Sequence, residues 1–219
     1  ADGRAVLRHK KRIAAAAGTS DFDLQLTSDE ALHPWDEYSP YLYTLTARLL
    51  RDGEIIDAVS DRFGFRAYNI DPETGFNLAG NRLKLTGVSR HQDREILGNA
   101  LTIKEHAEDI ALIKEMGANS LRLAHYQHDG YFYKLCDEQG LVVWAEIPYI
   151  SENMRGAREN AISQMRELVI QNYNHPSIVV WGLSNEITMA GENDPDLIEN
   201  HKILILTPLL QMFFILLCI

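Results

Sequence analysis

The chain has 219 residues, 46% apolar and 24% charged, enough to bury a sizeable core as one domain or as a small domain joined to part of a larger one. Its formal charge of −10 excludes a nucleic-acid backbone as partner, since phosphate binding needs a basic face, and favours a neutral or cationic ligand. Cys136 and Cys218 are the only cysteines, so no disulfide framework follows and a reducing compartment, the cytoplasm, is the expectation.

The basic cluster Arg8-His9-Lys10-Lys11-Arg12 is followed by Ile13 to Ala17, an apolar stretch too short for the h-region of a signal peptide. Residues 1–20 are expected to lack order, and a start at Ala1 rather than Met points to a chain cut from something longer. From Asp21 the pattern alternates: Phe22 to Leu26, then Tyr41 to Leu49, the turn Arg51-Asp52-Gly53-Glu54 and a second run from Ile55. This predicts hairpins from a β-sandwich over 21–68. Phe76-Asn77-Leu78, the turn Ala79-Gly80-Asn81 and Arg82 to Leu85 predict a further hairpin leading into Thr86-Gly87-Val88.

The rhythm then changes to strand, helix, strand. Thr102 to Glu105 reads as a capping box opening a helix with Ile103, Ala107, Ile110 and Ile113 on its apolar face, closed by Gly117. A strand over Ser120–Ala124, a helix over Gly130–Gln139 ended by Gly140, a strand over Leu141–Ile147, a helix over Arg158–Tyr173 and a strand over Ser177–Trp181 follow. Asp194-Pro195 suits an N-cap with proline at the first helical position. Alternation of this kind predicts a parallel sheet, and no glycine fingerprint for phosphate follows any strand, which favours a barrel over a doubly wound sheet. From Ile203 to Ile219 the chain is apolar except for Thr207, Pro208 and Gln211. That tail falls short of the roughly 20 apolar residues of a comfortable membrane span, so it is read as an anomalous end rather than an anchor.

Polar groups gather after each parallel strand: Ser89-Arg90-His91-Gln92-Asp93, then His125-Tyr126-Gln127-His128, then Glu146, then Asn185-Glu186. Four strand ends in order predict a catalytic face. Glu186 stands where an apolar strand gives way to a polar loop, the position of a catalytic acid, although a carboxylate balancing a helix dipole would look the same. Asp137 and Glu138 read as a solvated helix end, and Lys104, Glu105, Glu108 and Asp109 as a charged helix face.

These segments also carry a resemblance. Gly87 to Gln92, Asn119 to Tyr126, Leu135 to Leu141 and Asn174 to Ile178 leading to Asn185-Glu186 resemble glycoside hydrolase family 2, and within it the β-galactosidases, over Pro34 to Lys202. Pro34-Trp35, Pro40 to Tyr43 and Asp61 to Arg66 are similar to the family's immunoglobulin-like sandwich and its junction to the barrel. The resemblance implies an α/β fold: part of an immunoglobulin-like sandwich over 21–68, then the first half of a TIM (β/α)8 barrel, about four strand–helix units, over 69–202. It implies a retaining glycosidase that cleaves terminal β-galactosides, with Glu186 as general acid/base, Asn185 on the sugar 2-hydroxyl, His91 and His125 on the sugar, and Arg122 orienting the carboxylates. It also implies a homo-oligomeric parent enzyme.

A retaining mechanism needs a second carboxylate about 5 Å away as nucleophile. In the family it comes from a later strand, so this chain is expected to lack it and to be inactive alone; neither Glu146 nor Asp93 matches a family motif for it. The family's magnesium ligands are a Glu and a His after the third strand, where this chain reads Ile147 to Glu152, so no metal is expected. Ser89 and Gln92 replace the family's usual Asn and Glu beside His91. The alternatives are a β-glucuronidase, sharing the strand motifs but needing a group for the sugar carboxylate; a non-catalytic truncated chain; and a membrane-anchored sandwich module.

Overall fold

In the computed structural model the described residues are 4–14, 17–20, 22–154, 156–189 and 194–216, with 208–216 as backbone only. β1 (Tyr43–Arg51) and β2 (Glu54–Phe63) form an antiparallel hairpin. Asp52 and Gly53 both take positive φ, 52° and 91°, as the favoured two-residue hairpin turn requires. β3 (Tyr68–Asp71), β4 (Gly75–Leu78) and β5 (Asn81–Arg82) make a second small sheet. Its first turn is held by Asp71 Oδ1, which accepts from the backbone of Glu73 and Thr74.

The third unit alternates strand and helix: β6 (Gly87–Arg90), α1 (Ile103–Glu115), β7 (Ser120–Leu123), α2 (Gly130–Gln139), β8 (Val142–Glu146), α3 (Arg158–Asn172), β9 (Ile178–Gly182) and α4 (Pro195–Leu216). The four strands are parallel and lie in sequence order, with no reversal of the kind that marks a doubly wound sheet. That is a partial TIM barrel. The capping box at Thr102 forms, with Thr102 and Glu105 exchanging bonds, and Gly140 ends α2 at φ 68°.

The core follows the two-residue period of the strands. Leu121, Leu123, Val143, Ala145 and Ile178 face the helices and pack with Phe132, Cys136, Met165 and Leu168. On the other face Val142 joins Trp35, Phe76, Leu78 and Val179, so the small β3–β5 sheet packs beneath the parallel strands. Trp144, on that same face, is 42% exposed.

Several expectations change. Phe22 to Leu26 forms no strand, having no ladder partner among the described residues, whereas β3 was not foreseen. On α1 the buried face is His106, Ile110 and Ile113; Ile103 and Ala107 lie outside. Asp137 is not solvated: it is 4% exposed. Its Oδ2 accepts from His175 Nδ1 at 2.5 Å and its Oδ1 from the Ser177 backbone and hydroxyl, while its carbonyl accepts from Trp35 Nε1. Arg62–Glu138 and Asn174–Asp61 bonds complete a joint between the β1–β2 hairpin and the bases of α2 and β9.

The expected disorder of residues 1–20 falls partly outside the described residues; 4–14 and 17–20 carry no helix or strand. The apolar tail is the continuation of α4 rather than a separate segment, and its last residues, with Cys218, lie outside the described part. No described helix is long and apolar enough to cross a membrane.

Candidate active site

The carboxyl ends of β6 to β9 carry the residues singled out above, and most of them meet around one buried carboxylate. Glu146 ends β8 with no exposed surface. Its Oε1 accepts from Arg122 Nε at 2.5 Å and its Oε2 faces His125 Nδ1 at 2.9 Å. Arg122, on β7, donates through its second terminal nitrogen to Asn185 Oδ1 at 2.8 Å, and its guanidinium lies 5.5 Å from the Trp144 ring centroid. His91, exposed, meets His125 edge to face at 5.3 Å. The Ala124–His125 peptide is cis.

Backbone pairing sets the Asn185 end. The Asn185 amide donates to the Tyr149 carbonyl and its carbonyl accepts from Ser151, which extends the β8–β9 pairing past the sheet. Tyr149 is held in turn by Asn153, which donates to Asp194 and Asp196 at the start of α4. Glu186 follows at φ 50°, a left-handed conformation uncommon for a glutamate and found preferentially at functional sites. Its side chain is exposed and bonds to no other described residue. Of the five predicted site residues, Arg122, His125 and Asn185 are joined through hydrogen bonds, His91 touches His125, and Glu186 stands beside Asn185 with no side-chain partner among the described residues.

Two polar residues of the strand-end loops turn the other way, into the helix layer. Arg90 is 6% exposed; it pairs with Asp109 at 2.7 Å, donates to His106 Nδ1 and His128 Nδ1, and lies 3.9 Å over the Phe132 ring. Asp109 is therefore part of a partly buried ion pair, not of a plain charged helix face. Burial first, and the Arg90 charge second, push His128 down to about 3 and lower His106 as well. The histidines thus stay neutral, as acceptors for arginine. Nearby, Tyr126 Oη accepts from the Gln92 amide and Gln92 Oε1 from the Asp129 amide, which ties the loop carrying His91 to the loop carrying His125.

Sequence reasoning missed the role of Glu146, weighed only as a nucleophile. The only signal in the sequence was a carboxylate at a strand end, with an arginine near the end of the preceding strand; in the register Arg122 is level with Trp144, two residues before Glu146 on the same face. No group of three or more His, Cys, Asp or Glu side chains among the described residues is gathered to hold a metal ion, so the residues present do not fit magnesium. A buried carboxylate balanced by arginine, with an amide and two imidazoles at its rim, suits the binding of neutral hydroxyl groups beside an unpaired carboxylate.

The family description "Glycosyl hydrolases family 2, TIM barrel domain" matches residues 72–212, and "Glycosyl hydrolases family 2" matches residues 2–66. A β-glucuronidase of Bacteroides fragilis is 44% identical over 169 residues, 73% of this chain and 24% of the relative. A β-galactosidase of Thermoanaerobacterium thermosulfurigenes is 36% identical over 177 residues, 78% of this chain and 24% of the relative. Among solved structures, an FMN-binding β-glucuronidase from Facaelibacterium prausnitzii L2-6 superposes with a TM-score of 0.77 at 48% identity, over 79% of this chain and 27% of that one. The chain therefore spans about a quarter of the length of these relatives. Both specificities occur among them, so the family, not the galactoside, is what they share.

Proposed function

Because the chain belongs to glycosyl hydrolase family 2, we propose that it supplies the acid/base half of a retaining glycosidase acting on terminal β-linked sugars. Glu186 protonates the leaving oxygen and, as the carboxylate so formed, takes a proton from the attacking water. Asn185 bonds the sugar 2-hydroxyl, His91 and His125 bond further hydroxyls, and Arg122 orients the Asn185 amide. The observation that carries the reading is the Arg122–Glu146–His125–Asn185 cluster at the carboxyl ends of parallel strands, next to the unpaired Glu186. Glu146 is committed to Arg122 and His125, which argues against its being the nucleophile; that group is assigned to another part of the whole protein.

A β-glucuronide is the first reading, since relatives at 44% and 48% identity bear that name, while a solved structure named a putative β-galactosidase is 44% identical as well. A β-galactoside is the second reading, supported by the β-galactosidases among the relatives, since the motifs around His91, His125 and Asn185 are common to both. Arg122 is already balanced by Glu146, so a uronate carboxylate would need a cation from outside this cluster.

The test is turnover by the whole protein of aryl β-glucuronides and β-galactosides, with and without Glu186→Gln. Loss of the acid lowers kcat/KM by about 10²–10⁴-fold for a phenyl glycoside and much less for a dinitrophenyl glycoside, whose leaving group needs no proton. Equal loss on both would refute the acid/base role.

A further inference from the structure

Glu146 takes no part in proton transfer as described, yet it is the most deeply buried charge of the site and touches His125, which would meet the sugar, and Arg122, which holds Asn185. We propose that Glu146 is a positioning residue that sets the hydrogen-bonding polarity of the sugar site, presenting Asn185 Nδ2 as a donor and His125 Nε2 as an acceptor. The inference rests on the glycosidase reading for its ligand, but not for its geometry.

An arginine can only donate. With Nε given to Glu146 Oε1, the Arg122 guanidinium plane is fixed, and its other edge meets Asn185 at 2.8 Å. The atom facing it must therefore be the Asn185 carbonyl oxygen, which turns the NH2 group away as the free end of the amide. An ionised carboxylate can only accept. Glu146 Oε2 lies 2.9 Å from His125 Nδ1, closer than the 3.3 Å from Arg122 to the same nitrogen, so Nδ1 carries a proton and donates to Glu146. In the neutral ring the lone pair then sits on Nε2, which has no protein partner among the described residues. A sugar hydroxyl needs such a pair, since it donates once and accepts from elsewhere. One buried carboxylate fixes both ends.

Glu146→Gln keeps the shape and reverses the logic. A glutamine offers one acceptor and one NH2 donor, so it cannot accept from Arg122 and His125 at once. Arg122, the stronger donor, keeps the oxygen, and the NH2 group then faces His125 Nδ1, forcing the proton to Nε2.

The experiment is long-range ¹⁵N–¹H NMR of the histidines in the purified chain at about pH 8, where an ordinary imidazole is neutral, with His125 assigned by His125→Gln. Expected are the Nδ1–H tautomer in the native chain and the Nε2–H tautomer in Glu146→Gln. The native spectrum stands alone if the variant fails to give a cooperative unfolding transition. A native His125 protonated at Nε2, or a folded Glu146→Gln chain with an unchanged tautomer, overturns the proposal.

Calorimetric titration of the whole protein with phenyl 1-thio-β-D-glucuronide and phenyl 1-thio-β-D-galactoside, which resist hydrolysis, reads the ligand side. Binding about tenfold or more weaker in Glu146→Gln than in the native whole protein is expected for a lost polar match. Equal binding by both overturns the proposed polarity. The expected tautomers without binding of either probe would instead count against the glycosidase reading and leave Glu146 as an organiser of the cluster.

Discussion

Gly182 is the position where a single methyl group tests the whole cluster. Its Cβ, if added, would lie 2.5 Å from Glu146 Cγ and closer still to Trp144 Nε1, both inside any ordinary carbon contact. Gly182 has no positive φ to strain an alanine, so the effect of Gly182→Ala is purely one of space. Glu146 cannot yield: it is fully buried and tied to Arg122 and His125 at 2.5 and 2.9 Å, and dislodging a buried charge from its partners costs about 3–5 kcal/mol. Trp144 can swing, since it is 42% exposed, at the loss of its contact with Arg122, while β9 shifts slightly on the sheet edge. The cheaper route sets the magnitude, about 2–3 kcal/mol, the upper part of the usual overpacking range. For a chain of this size that is a fall in Tm of roughly 4–12 °C. Urea unfolding of native, Gly182→Ala and Gly130→Ala chains, followed by circular dichroism, is the assay. Gly130 is the control: nothing lies within 4 Å of its Cβ, and alanine suits the first turn of α2, so no loss is expected there. A Gly182→Ala chain within about 0.5 kcal/mol of native would refute the tight approach of β9 to Glu146 and Trp144.

Other outcomes follow from the buried groups. His128 is held down to about 3 against an ordinary value near 6.5, so the unfolded chain takes up its proton first as the pH falls; stability is full above about pH 6.5 and drains away toward pH 3, by up to about 1.4 kcal/mol per unit. His128→Asn, which still accepts from Arg90, should lose about 2 kcal/mol less than the native chain between about pH 7 and 4.5 in urea titrations, and identical losses would sink the assignment. Burial, then the neighbouring Asp137, pushes the Cys136 thiol well above its usual range, so iodoacetamide labelling of the Cys136 peptide, read by mass spectrometry, should stay slow until urea unfolds the chain. Labelling at the rate of a free thiol in the folded chain would contradict the packing around α2. Asp137→Asn keeps its carbonyl oxygen on the two Ser177 donors and turns an NH2 group toward His175 Nδ1, which must give up its proton to accept it, and should cost about 1–3 kcal/mol in the same urea assay; a neutral result would mean the joint carries no stability.

The order of strands and helices from Gly87 onward was legible because each element carries its own local signal: the Thr102 box, the Gly140 cap, and apolar runs whose ends are marked by polar residues. Four of the five candidate site residues were legible as a group for the same reason, since the ends of parallel strands in sequence order must lie side by side. The segment from Phe22 to Leu26 was misread because alternation specifies a strand only when a partner supplies its ladder. Asp109 and Asp137 were misread because a carboxylate on a helix looks the same in sequence whether it meets water or a buried Arg90 or His175.

The sequence by itself therefore determined which residues reach the carboxyl-end face of the parallel strands, through periods of two and of 3.6 that need no knowledge of neighbours. Only the tertiary structure decided what those residues do to one another. Glu146, Arg122, His125 and Asn185 come from three strand ends far apart in the chain, and their mutual orientation follows from the spacing of adjacent strands and the close approach at Gly182. Whether a carboxylate at a strand end is bound on both oxygens, as Glu146 is, or left unpaired, as Glu186 is among the described residues, depends on what the next strand brings beside it.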